Sequence, residues 1–153
     1  MPLLKQELSF LEKNIKNSDG IAANVSSSNV AWHIDHSLKV INRVCNFLIA
    51  SDPNDYKWRF NKLRFIIFLT GVIPRGKARA PKQVRPPEDI NIEDLEVQLK
   101  EVQQLLMDIE KLHPKNNFDH HIFGKLHLKK TIRFLEIHTN HHIKIIKDIL
   151  KAQ

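Results

Sequence analysis

The chain has a single cysteine, Cys45, among its 153 residues. One thiol excludes an internal disulfide framework and fits a reducing compartment. Cys45 falls on the apolar side of a helical period, so it reads as core rather than as a nucleophile. Long apolar runs are missing too: the longest, residues 65–69, is far too short to span a bilayer. The first residues, Met1-Pro2-Leu3-Leu4-Lys5-Gln6-Glu7, hold no signal-like apolar segment and carry an early acid. The expectation is a cytoplasmic protein. No segment alternates at period two for long enough to announce a strand, and no internal repeat is evident. Acid is absent between residues 56 and 87, where nine basic residues stand.

What is present suits one folded domain over residues 1–153. Apolar residues make up 42% and charged residues 27%, ordinary for a chain with a single core. The net charge of +7 is compatible with nucleic acid, an acidic surface or an acidic small ligand.

Helical periods dominate. Residues 2–16 read as a short amphipathic helix with Leu4, Leu8, Leu11 and Ile15 on one face. Residues 17–28 are polar, contain Gly20 and form a loop, with Ser27 or Ser28 as the cap of the next helix. That helix, residues 29–50, carries a stripe from Val30 through Ile34, Leu38, Ile41 and Cys45 to Leu48. Val40 and Phe47 broaden the stripe, and Pro53 stops the helix. A third helix is expected over residues 56–70, rich in Trp58, Phe60, Phe65 and Phe68, with these aromatics as core and Gly71 as the stop. Residues 72–91 are a proline-rich loop. A helix over residues 92–112 opens on a capping-box-like Asn91 and Asp94. Residues 115–124 are a loop, and a last helix runs to residue 151. Four long amphipathic helices joined by loops predict an all-α, four-helix bundle, more than half helical, with the N-terminal helix as an addition.

The last helix carries the chemistry. His138 and His142 stand at i and i+4 on the edge of its apolar stripe, whereas His141 points away. Two imidazoles so placed can share a metal ion, given a third ligand. The helix over residues 29–50 offers Trp32-His33-Ile34-Asp35-His36-Ser37-Leu38. His33 lies nearer the apolar stripe and His36 further round. Either can complete a three-histidine site that leaves one position open.

This arrangement resembles the DinB-like superfamily, which includes YfiT-type metal-dependent hydrolases and bacillithiol transferases. The pairing of Trp32-His33-Ile34-Asp35-His36-Ser37-Leu38 with His138-Thr139-Asn140-His141-His142 carries the resemblance. It is most similar to the DUF1569 branch, through Phe123-Gly124-Lys125-Leu126, Arg133-Phe134 and Ile137-His138. It covers residues 28–149. The resemblance implies a four-helix bundle holding zinc or nickel on three histidines. One ligand comes from an early helix and precedes an aliphatic residue; the other two form H-x-x-x-H on the last helix. Carried across, the ligands are His33, His138 and His142. His36 precedes Ser37 and matches less well, and His141 matches a family position that is not a ligand. Lys144-Ile145-Ile146, where many members have Gln, and His127, where a capping Thr is common, depart from the pattern and bear on substrate rather than on metal.

The expected function is therefore a metal-dependent enzyme, a hydrolase or a thiol S-transferase. Its expected partner is a small molecule, anionic or a low-molecular-weight thiol. A homodimer is compatible with the resemblance. Nucleic acid is not expected, since the basic loop lacks interleaved aromatics and no DNA-binding motif appears; nor is a membrane, since the longest apolar run is too short to span one. Five cations of the loop, Arg75, Lys77, Arg79, Lys82 and Arg85, read either as solvated charge or as a lid that gathers anions. Glu136 lies on another face from His138, and Asp35 suits orienting a histidine as well as moving a proton, so no general base is assigned. The competing function is non-enzymatic: a metal-binding bundle, or a basic module for an acidic partner.

Overall fold

The computed structural model describes residues 3–76 and 79–153. The first residue of the expected N-terminal helix, Pro2, and Lys77 of the basic loop lie outside them. Helix accounts for 61% of the structure, which meets the expectation of a chain more than half helical. Five α-helices occur: α1 (Lys5–Asn14), α2 (Val30–Ala50), α3 (Lys62–Thr70), α4 (Ile92–Ile109) and α5 (Leu128–Lys151). No helix among the described residues is long and apolar enough to cross a membrane.

α2 is the central element. It packs along α4 and α5, while α1 lies against α5. Ile34, Leu38, Ile41, Cys45 and Leu48 of α2 meet Leu95, Val102 and Ile109 of α4 and Leu135, Ile146 and Ile149 of α5 in one hydrophobic cluster. Full burial of each such Leu or Ile stabilises the fold by about 1.5–3 kcal/mol. The start of α2 is set by Asn29 rather than by Ser27 or Ser28: Asn29 Oδ1 accepts from the Trp32 amide at 2.9 Å. Its end is closed by Ser51, whose hydroxyl donates to the Leu48 carbonyl. Phe47 departs from the expected stripe and is exposed.

Two further expectations fail for physical reasons. α3 begins at Lys62, not at residue 56. Asn61 is extended and its side chain caps the Arg64 amide, so the aromatic run is divided between a non-helical strap and a helix of nine residues. Trp58, Phe60 and Phe65 are exposed rather than core; of the aromatic run, Phe68 is half-buried and packs edge-on to Phe123. The stop is as expected, with Gly71 left-handed at φ 67°.

The second failure is the loop over residues 115–124. The chain forms an antiparallel hairpin there, β1 (Asn117–His120) and β2 (Gly124–His127). Asn117 pairs with His127 and His120 with Gly124. Four residues a side are too few to display a period. The hairpin is fastened to the end of α2: the Asn116 amide donates to the carbonyls of Leu48 and Ser51, and the Asn117 N–H donates to the Ser51 hydroxyl. That fastening brings Phe118 and His120 beside the histidine-bearing faces of α2 and α5.

Candidate metal centre

His36 from α2 and His138 and His142 from α5 present ring nitrogens that all lie within 4.8 Å of one another. They can hold a metal ion. Two of the three are oriented by bonds to their far nitrogens. His36 Nδ1 donates to the Val84 carbonyl at 2.8 Å, leaving Nε2 free. His142 Nδ1 lies 2.9 Å from His33 Nδ1, again leaving Nε2 free. Such bonds fix ring orientation and tautomer in metal-binding imidazoles. His138 Nδ1 is buried with no partner among the described residues, an unmet polar atom that a ligand or ion in the site would answer.

The sequence expectation placed His33 in this set. The structure brings His33 to the site in another role and puts His36 among the clustered nitrogens. The two residues are three apart on α2 and share a neighbourhood, but their rings point differently. His33 Nε2 bonds Ser26 Oγ at 3.0 Å, and Ser26 Oγ also accepts the Ser28 N–H. With His142 Nε2 turned to the centre, its Nδ1–H donates to His33 Nδ1, and the Nε2–H of His33 donates to Ser26. Both nitrogens of His33 are then occupied. His141 stands edge-on to His142 at 5.0 Å between ring centroids; it lines the same groove but is not one of the three clustered residues. Asp35 is buried but salt-bridged to Lys39 at 2.6 Å and bonded by Gln98 at 2.8 Å, so it orients no histidine here.

Electrostatics favour neutral rings. Burial pushes the pKa values of His138 and His142 well below the ordinary value, and neighbouring histidines add to the effect. Burial lowers that of His36 as well, and holds that of His33 at about 4. Neutral imidazole is the form that binds metal. No protein-family model matches the chain, and no curated protein or solved structure does either.

The histidines line a groove of about 610 Å³. Phe47, Phe118, Phe123, Phe134 and Ile73 supply apolar wall, and Arg43, Arg79 and Asp119 supply charge. Sequence reading missed His120, which also lines it. His120 Nδ1 accepts from the Ile122 and Phe123 amides at 3.1 and 3.2 Å, so its proton sits on Nε2. Its ring stacks on Phe123 at 4.5 Å. The only hint in the sequence was the His120-His121 pair, and nothing local placed it near α5.

The basic loop contributes structure. Val84 is buried, and residues Lys82–Val84 form a 3-10 turn. Arg75 is salt-bridged to Asp148 of α5 at 2.8 Å, and Arg85 Nε donates to the Ala80 carbonyl at 2.6 Å.

Proposed function

We propose that this chain is a metal-dependent enzyme of the DinB-like type, acting on a small molecule bound in the groove. The observation that carries the reading is the set of His36, His138 and His142, with nitrogens within 4.8 Å of one another beside an apolar groove. The resemblance of the α2 and α5 histidine segments to that superfamily supports it. On this reading α2, α3, α4 and α5 form the four-helix bundle, with α1 and the hairpin as additions. The ligand set is His36, His138 and His142, and His33 orients His142.

His36, His138 and His142, as neutral imidazoles, would hold a zinc or nickel ion, which would supply Lewis acidity for activating a water or a thiol near neutral pH. The protein's own part is positional. Val84 and His33 hold two ligand rings in place. The phenyl groups exclude water and receive the body of the substrate. The Nε2–H of His120 is a donor in the groove wall, suited to an oxygen that gains negative charge. Hydrolysis and thiol transfer both fit this arrangement.

Metal analysis of protein purified without a polyhistidine tag tests the reading. One divalent ion per chain is expected. His36→Ala, His138→Ala and His142→Ala should each abolish stoichiometric binding while far-UV circular dichroism stays helical. His141→Ala should leave binding intact. Wild-type protein that takes up no zinc or nickel on titration would end the proposal. Cobalt-loaded protein then separates the two chemistries: a sulfur-to-cobalt charge-transfer band on adding a low-molecular-weight thiol favours thiol transfer.

A further inference from the structure

Seven large apolar side chains between residues 58 and 72 face solvent. Trp58 is 67% exposed, Phe60 68%, Phe65 59% and Leu69 74%. So many exposed apolar side chains within one short segment are uncommon on a self-contained surface and point to an interaction site. Lys57, Arg59 and Lys62 interleave with these residues and are exposed. Among the described residues none of the three is salt-bridged to a carboxylate.

The presentation is rigid. Arg64 donates to the carbonyls of Phe123, Lys125 and Arg59. The Asn61 amide donates to the Ile122 carbonyl, and Lys125 Nζ donates to the Asp55 carbonyl. Ile67 is buried beneath. The strap and α3 are therefore held against the hairpin, and their apolar groups are aimed outward by the fold rather than left loose.

We propose that the Trp58–Val72 surface docks on an anionic lipid bilayer, with its side chains at the headgroup boundary and no segment crossing. Trp and Phe beside Lys and Arg suit that boundary, where apolar area and attraction to anionic lipid add together. A second copy of the chain fits less well. A two-fold contact would set this cation-bearing patch against its own copy, and residues 56–87 contain no acid to answer Lys57, Arg59 and Lys62. Asp55 and Asp119 border Lys57 and Arg59 on the hairpin side. Single-stranded nucleic acid would use the cations and aromatics, but it leaves exposed Leu63, Ile66, Leu69 and Val72 unexplained. The proposal stands apart from the metal centre and does not depend on it.

Flotation of the full chain with phosphatidylcholine vesicles, with and without phosphatidylserine, tests it. Binding is expected to the phosphatidylserine vesicles, with a blue shift of tryptophan emission that Trp58→Ser removes. Lys57→Gln, Arg59→Gln and Lys62→Gln together should weaken binding by about a hundredfold, at roughly fivefold per cation. Leu69→Ser with Phe65→Ser should also weaken binding to the phosphatidylserine vesicles. These positions are exposed, and circular dichroism checks that the variants fold. Wild-type protein that stays unbound on both vesicles overturns the proposal. A dimer in sedimentation that Leu69→Ser dissolves, without vesicle binding, overturns it in favour of a second copy. Vesicle binding that persists in the Leu69→Ser, Phe65→Ser variant and is displaced by an oligonucleotide overturns it in favour of a polyanion site.

Discussion

α2 and α3 are both rich in apolar residues, and they meet opposite fates. α2 buries Val30, Ile34, Leu38, Ile41, Val44 and Leu48. α3 buries Ile67 and leaves Leu63, Phe65, Ile66 and Leu69 in solvent. Apolar content does not separate them. α2 runs for 21 residues between α4 and α5 and finds a partner on nearly every side. α3 has nine residues, packs chiefly on α5 among the helices, and is tied to the hairpin mainly through polar bonds. Burial is decided by how many neighbours the topology supplies, not by the side chains alone.

The sharpest way to break this comparison is to truncate one residue in each helix. Ile41→Ala in α2 should cost about 2–5 kcal/mol of stability. Leu69→Ser in α3 should change it by no more than about 0.5 kcal/mol. Urea titrations of the two variants check both values, and a large loss at Leu69 would show that α3 has a hidden packing role.

Acid should strike the histidine side of the molecule and spare α3, which has no histidine. His120 is buried, and its pKa is lowered from 6.5 to about 4 by burial first and His121 second. The folded protein keeps this ring neutral while the unfolded chain takes up a proton below pH 6.5. Stability from this ring is therefore complete above pH 6.5 and is lost as pH falls toward 4. The loss is on the order of 3 kcal/mol. Unfolding of metal-free protein at pH 7 and pH 4.5 should show it, and His120→Gln should make the acid limb shallower by about that amount.

A smaller effect separates the two α2 histidines. His33→Ala should weaken metal affinity by about 10–100-fold, the usual consequence of removing a residue that orients a ligand. His36→Ala should abolish stoichiometric binding. Competition titration with a chromophoric chelator reads both. The reverse ranking would return His33 to the ligand set.

The same contrast explains what was legible in the sequence. His138 and His142 were readable because four residues on a helix return to one face, whatever else the chain does. The buried stripe of α2 was readable for the same reason. His33 and His36 could not be ranked by helical position, since both lie near the inner face. They are distinguished by Val84, 48 residues away from His36, and by Ser26 in the loop before α2. The exposure of Trp58 and Phe60 was hidden because Asn61 starts a helix inside an aromatic run. The hairpin was hidden by its shortness, and His120 with it.

The Val84 carbonyl has one more consequence. It is main chain, so every amino acid at position 84 supplies it. Alanine scanning would pass over this position as an acceptor and register only the loss of a buried valine. The genetic weakness lies in length instead. Adding or removing a residue between Ile73, on the groove wall, and Val84 would slide a different carbonyl under His36, or none. The loop's tolerance should therefore be broad for substitution and narrow for insertion, the reverse of what its exposed, proline-rich composition suggests.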